Sequence, residues 1–146
     1  MAFGNPYAAY QTANVKTASQ GKLVVLLYEG AIKNLTGALG CFESDGKVLP
    51  PNIEKFGNFI VKTQDIINEL QVSLDMDKGG QISQNLMSLY VFFNQELMSA
   101  NINKDKKKIE FVVNMMGQLK SAWDVAATST ANTMAQKSQA SLNIQG

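Results

Sequence analysis

Residues 53–74 read IEKFGNFIVKTQDIINELQVSL. Apolar side chains recur along this stretch at alternating intervals of three and four residues, and a threonine fills one step of the pattern. The recurring positions are Ile53, Phe56, Ile60, Thr63, Ile67, Leu70 and Leu74. This heptad spacing predicts an α-helix that buries one continuous stripe of side chains against other helices.

Three other stretches have the same helical period, and each is predicted to bury its own core stripe. The first helix begins after a serine N-cap, Ser19, and its stripe is Leu23, Leu27, Gly30, Asn34 and Ala38, flanked by Leu26, Ala31, Leu35 and Phe42. The third helix has the stripe Ile82, Leu86, Leu89, Phe93, Leu97 and Ala100. The fourth helix has the stripe Ile109, Val112, Met116, Leu119, Trp123 and Ala126.

Turn-forming residues separate these four stretches. Residues 44–46 and the pair Pro50-Pro51 precede the second helix, Gly79-Gly80 ends it, and residues 101–105 connect the last two helices. Helices of about 22 to 26 residues would each span roughly 33 to 39 Å, and short connections make sequential neighbours antiparallel. The sequence therefore predicts an all-α fold, an antiparallel up-down four-helix bundle over residues 18–128.

The two ends of the chain differ from the predicted bundle. Residues 1–17 are too short and too broken by glycine and proline to form a stable isolated helix, although they carry two tyrosines and a valine. Residues 129–146 are small and polar, with Lys137 as their only charge, and are predicted to be a disordered tail or a frayed helix.

Composition excludes several classes of function. The 146 residues have room for one domain, and the absence of histidine removes the commonest general base and metal ligand. All 13 basic residues are lysine and the net charge is +1, which argues against a nucleic-acid partner. With one cysteine, no signal segment and no long apolar run, we expect a cytoplasmic protein that does not insert into membranes.

Two charged motifs have structural explanations. Asp75 and Asp77 could resemble the paired carboxylates of a hydrolase, but they stand at a helix end before two glycines, which favours a capped turn. The basic run Lys104 and Lys106–Lys108 is interpreted as a solvated face, with a docking surface for an acidic partner as the alternative. No catalytic residue, metal ligand or cofactor site is predicted.

Apolar residues in excess of the core stripes are more suggestive. The surplus consists of Phe59, Ile66, Val72, Met87, Tyr90, Phe92, Met98 and Met115. Some of these side chains must widen the core face of their helices, whereas exposed apolar strips mark partner grooves. Both interpretations stay open for each residue.

Several blocks of sequence follow one another between residues 7 and 127. They are Tyr7-x-x-Tyr10, Val15-x-Thr17-Ala18-Ser19, Leu27-Tyr28-Glu29-Gly30-Ala31, Gln64-Asp65-Ile66-Ile67-x-Glu69-Leu70, Leu74-x-Met76-Asp77-x-Gly79-Gly80, Asn85-Leu86-x-x-Leu89-Tyr90, Ala100-Asn101-Ile102 and Leu119-x-x-Ala122-Trp123. In this order they resemble the FliS family of flagellar secretion chaperones.

The resemblance implies a non-enzymatic four-helix chaperone in the cytoplasm. Its client would be the C-terminal segment of flagellin, which it would keep from polymerising early and help deliver to the flagellar export gate. The resemblance also makes residues 1–17 a movable cap over the hydrophobic surface. The candidate partner-binding residues are Tyr7, Tyr10, Val15, Phe59, Ile66, Ile67, Tyr90 and Phe92.

The sequence departs from the family pattern at four places. The usual first-turn proline and glutamate are replaced by Gln20, Gly21 and Lys22, and the usual arginines of the third helix by Gln95-Glu96. The loop at residues 48–51 is long and apolar, and the chain continues beyond Thr128. The tail from Thr133 to Ile144 is itself similar to a flagellin C-terminus, which suggests self-capping as an alternative to a disordered tail. The rival to a chaperone is a structural four-helix protein that self-associates as a homodimer.

Overall fold

The computed structural model describes the backbone of Ala9 and residues 17–145, and the side chains of Ala9 and residues 21–126. Four helices account for nearly all of it: α1 (Thr17–Leu39), α2 (Pro50–Ser73), α3 (Gly80–Asn103) and α4 (Lys106–Gln145). Helix α1 packs against α2 and α4, and α3 packs against the same two helices from the opposite side. The predicted all-α four-helix fold is confirmed.

Local chemistry explains where the helices begin and end. Leu49 precedes two prolines and is extended, so α2 begins at Pro50, two residues before the predicted start. Gly46 adopts a φ of 82°, which turns the chain back on itself so that Phe42 and Val48 form an antiparallel bridge. At the other connection Lys104 is left-handed and ends α3, which is therefore longer than predicted.

The core stripe of α2 follows the heptad prediction closely. All of its predicted positions from Phe56 to Leu74 are buried, including Thr63, whose hydroxyl donates to the carbonyl of Phe59 at 2.9 Å. Only Ile53, in the first turn, is 44% exposed. In α4 the predicted positions Ile109, Val112, Met116 and Trp123 are also buried, whereas Leu119 and Ala126 are half-buried.

The predicted stripe of α1 is largely wrong: of its five positions only Ala38 is buried, together with the predicted flanking residues Ala31 and Leu35. The buried positions are Val24, Tyr28, Ala31, Leu35 and Ala38, whereas Leu23 is 45% exposed. The helix is rotated because the Tyr28 ring enters the core. Gly30 and Gly37 face α2, where the bare backbone allows close approach. A buried tyrosine is tolerated when its hydroxyl has a partner, and the Tyr28 hydroxyl bonds that of Tyr90.

A similar shift affects α3. Ser83 and Tyr90 are buried where the sequence predicted Ile82 and Leu89, which are only partly covered. The Ser83 hydroxyl donates to the carbonyl of Asp75 at 2.8 Å, and this bond compensates the burial of a polar side chain.

Helix α4 is much longer than its neighbours. It has 40 residues, whereas α1, α2 and α3 have 23 or 24 each. It runs to Gln145, well past residue 128, where the sequence placed the end of the bundle.

Candidate functional site

Phe59 and Ile66 lie on the side of α2 that faces α1. A Cβ atom on Gly37 would stand 2.6 Å from Phe59 Cζ, and one on Gly30 would stand 3.3 Å from Ile66 Cδ1. Both side chains are half-buried against α1. These two candidates therefore hold α1 and α2 together and leave only part of their surface for a partner.

Ile67 and Tyr90 are fully buried, so neither contributes to the surface of the bundle as it stands. The hydroxyls of Tyr28 and Tyr90 lie 2.5 Å apart and join α1 to α3 across the centre of the bundle. The Trp123 ring, with its centroid 6.2 Å from that of Tyr28, brings α4 into the same cluster. The predicted core position of Trp123 is confirmed by its exposure of 4%.

Phe92 belongs to an exposed aromatic pair. Its ring meets that of Phe111 on α4 edge-to-face, with centroids 5.9 Å apart and an interplanar angle of 88°. The two side chains are 40% and 45% exposed. Leu89 and Met115, one helical turn away on α3 and α4, are half-buried beside them. We call these four residues the α3/α4 aromatic face.

Phe111 was missed by the sequence reasoning. It lies off the core stripe of α4, like Met115, and it stands four residues before Met115, one turn away on the same side of the helix. That spacing was the signal available in the sequence. Periodicity alone, however, does not say which neighbouring helix an off-stripe residue meets.

A second surface lies between α2 and α3, on the other side of α3. It is a cleft of about 390 Å³, which we call the amide cleft, lined by Gln64, Asp65, Asn68, Gln71, Val91, Asn94, Gln95 and Met98. The Asn94 Nδ2 group donates to Asn68 Oδ1 at 2.9 Å and to Gln71 Oε1 at 3.3 Å. Side-chain amides thus link the two helices across the floor of the cleft.

The N-terminal segment reaches the α2–α3 turn at Ala9. Ala9 is buried, and its carbonyl accepts the backbone N–H of Asp75. A Cβ atom on Gly79 would stand 2.8 Å from Ala9 Cα, so glycine at this position leaves room for the segment. Tyr7, Tyr10 and Val15 lie outside the described residues.

The charged motifs have local structural roles. Asp75 Oδ1 accepts the backbone N–H groups of Asp77 and Lys78 at 3.0 and 2.8 Å, which confirms the predicted capped turn. Asp105 does the same for Lys107 and Lys108 at the start of α4. The charged motifs are therefore turn and cap elements.

Two lysines of the basic run are engaged with neighbouring helices. Lys108 Nζ lies 3.9 Å from Glu96 on α3, and Lys104 Nζ lies 5.5 Å above the ring of Phe56. Lys106 and Lys107 are the exposed members of the run. The predicted solvated face is thus smaller than the sequence suggests.

One lysine has a perturbed titration. Lys120 Nζ donates to the Asp124 carboxylate at 2.7 Å, and this hydrogen bond raises the pKa of Lys120. Partial desolvation lowers the pKa, whereas the negative charges of Asp124 and Glu29 raise it further. Because folding raises this pKa, the associated stabilisation is complete below the ordinary lysine value and is lost as the pH rises through the folded value. It does not vary near neutral pH.

Within the described part of the chain, no three acidic or cysteine side chains gather closely enough to hold a metal ion. None of the helices described there is long and apolar enough to cross a membrane.

Comparison with known proteins identifies the family. The family model described as "Flagellar protein FliS" matches residues 3–130. A Bacillus subtilis protein named flagellar secretion chaperone FliS is 31% identical over 129 residues, covering 88% of this chain and 91% of that protein. A Salmonella typhimurium protein of the same name is 34% identical over 110 residues, covering 75% and 77%. This chain therefore belongs to the FliS family of flagellar secretion chaperones, which are not enzymes.

Proposed function

We propose that this chain is a cytoplasmic export chaperone that binds the C-terminal helical segment of flagellin, prevents its premature polymerisation and aids its delivery to the flagellar export gate. Membership of the FliS family supports the general role. The observation that carries the binding mode is the exposed Phe92–Phe111 pair, which we take as the anchor site for an amphipathic client helix.

Aromatic side chains at the centre of a contact contribute a large share of binding energy. A disordered client loses conformational freedom when it becomes helical, at a cost of several kcal/mol, so the contact must be long. Leu89 and Met115 extend the aromatic pair by one turn along each helix, which suits anchors spaced three or four residues apart in the client.

The remaining candidates have subordinate roles in this proposal. Ile67 and Tyr90 act through the core by fixing the spacing of α2 and α3, and Phe59 and Ile66 fix that of α1 and α2. Tyr7, Tyr10 and Val15 belong to the movable cap. As a tethered segment, the cap would compete with a client at an effective concentration of order millimolar.

The client is tested by calorimetry with a peptide that covers the C-terminal helical region of flagellin. We expect one-to-one binding with a negative heat-capacity change and a gain of helix by circular dichroism, because apolar surface is buried and the peptide becomes ordered. Absence of both heat and helix gain at several temperatures would refute the flagellin client.

The binding surface is tested by Phe92→Ala. We expect this change to weaken peptide binding by about tenfold or more, as for an interface hot spot. Loss of the Phe92–Phe111 contact should lower the free energy of unfolding by about 0.5 to 1.5 kcal/mol, which leaves the bundle folded. Leu26→Ala, which truncates an exposed side chain on α1, is the matched control. Equal affinities for the two variants would move the site away from the α3/α4 aromatic face.

A further inference from the structure

The amide cleft has an unusual charge pattern. Asp65 is its only charged lining residue. Glu96 is the only charged residue in α3, and it is half-buried beside Lys108 on the opposite side of the helix. The exposed surface of α3 is therefore uncharged, whereas a solvent-facing helix ordinarily carries mixed charges. Such a surface suits a partner segment that carries one cationic side chain and is otherwise uncharged.

Side-chain amides make up most of the cleft lining, namely Gln64, Asn68, Gln71, Asn94 and Gln95. The Asn94 Nδ2 group is tied to α2, and Asn94 Oδ1 is enclosed, so a docked partner meets the other amides. Val91 and Met98 add exposed apolar surface. The matching partner thus combines side-chain amides or hydroxyls with small apolar groups.

The end of this chain has that composition. Residues 127–145 contain only Ala, Ser, Thr, Asn, Gln, Met, Leu and Ile besides Lys137, which is their one charge. In the sequence, Ala131, Met134 and Leu142 recur at the spacing of one helical face. As a helix this segment is roughly 28 Å long.

The tail is remote from the cleft of its own molecule. The antiparallel contact of Phe92 with Phe111 places the start of α3 level with about residue 123 of α4, and α4 continues as one helix to Gln145. The tail therefore has no α3 beside it. The amide cleft, moreover, lies between α2 and α3, on the side of α3 away from α4. A second copy can reach the cleft without breaking the helix.

We propose that residues 127–145 of one chain dock in the amide cleft of a second copy, with Lys137 beside Asp65 and the tail amides and hydroxyls facing the side-chain amides of the cleft. Reciprocal exchange of tails closes a twofold dimer, because each molecule carries both the tail and the cleft. The contact uses the α2/α3 side of the bundle and is independent of the flagellin client.

The first test measures self-association of the full chain, without any client, by sedimentation equilibrium. We expect a concentration-dependent dimer. Met98→Glu places a charge in the cleft and should weaken the dimer by about tenfold or more. Leu26→Glu, an equivalent change at an exposed position of α1, should leave it intact. A wild-type chain that is monomeric at every concentration, or equal effects of the two variants, would overturn the proposal.

The second test identifies the tail as the occupant by exchanging charges. Asp65→Lys and Lys137→Glu should each weaken the dimer severalfold, since each places like charges together, and the double variant should recover the wild-type dimer. Circular dichroism melting of every variant verifies that the bundle is folded. A dimer that neither single change weakens, or one that the double change fails to restore, shows that another segment occupies the cleft.

Discussion

At the scale of single residues, two glycines of α1 decide how closely α1 and α2 approach. Gly30 and Gly37 stand seven residues apart, and they face Ile66 and Phe59, which are also seven residues apart on α2. The two large side chains of α2 thus fill the space that side chains on α1 would otherwise need. This pairing of glycine with a bulky residue sets the close approach of α1 to α2.

Gly37→Ala should therefore destabilise the bundle by about 1 to 3 kcal/mol, because the added methyl group overlaps the Phe59 ring. Gly117→Ala is the matched control: it is another helical glycine, and a Cβ there meets no atom within 4 Å. We expect it to raise stability by about 0.5 to 1 kcal/mol through helix propensity alone. Urea unfolding measures both changes. Stabilisation by Gly37→Ala would mean that Phe59 moves aside freely.

At the scale of elements, the sequence predicts a helix best where its hydrophobic pattern has one interpretation. In α2 and in much of α4, large apolar residues recur at heptad spacing along most of the helix, so their core faces are evident. In α1 apolar residues occupy several faces, and a tyrosine becomes a core residue only through a hydroxyl partner on α3, 62 positions away. Long-range pairing of this kind is invisible to local periodicity.

The candidate site was less predictable than the fold for a related reason. Off-stripe apolar residues were recognised, but their distribution among the α1/α2, α2/α3 and α3/α4 boundaries depends on how each helix is rotated. Phe59 and Phe92 look equivalent in sequence, yet one packs on a glycine and the other meets an exposed ring.

The N-terminal segment is an element whose attachment can be tested. Its described contact is the hydrogen bond that the Ala9 carbonyl accepts at the α2–α3 turn. Deleting residues 1–15 should leave the bundle folded and should not weaken binding of the flagellin peptide, because a tethered competitor is removed. Calorimetry and thermal melting measure the two effects.

If the segment is instead a permanent part of the core, the deletion should lower the melting temperature by several degrees. Hydrogen exchange on the intact protein separates these outcomes. Amides from Tyr7 to Val15 that lose protection when the peptide binds support a movable cap, whereas unchanged protection excludes it.

At the scale of the whole molecule, α3 separates two surfaces of different chemistry. The aromatic face adjoins α4, and the amide cleft adjoins α2. Because the two surfaces occupy opposite sides of one helix, a client and a second copy of the chain would not overlap. Distant sites usually contribute additively.

A change in one surface should therefore have no effect on binding at the other surface. Phe92→Ala should leave the dimer unchanged in sedimentation, and Met98→Glu should leave peptide affinity unchanged in calorimetry. If either variant lost both dimerisation and peptide binding, the two partners would share one surface. The arrangement of the four helices argues against such sharing.

The tyrosine–tryptophan cluster gives the molecule an optical property as well as a packed centre. Trp123 is the only tryptophan, and its ring lies 6.2 Å from that of Tyr28 in a dry environment. Light absorbed by that tyrosine can pass to the indole, whose emission then falls at short wavelength. Separation of α1 from α4 would lower the efficiency of this energy transfer and shift the emission to longer wavelength. The intrinsic fluorescence of the unlabelled protein therefore measures that separation.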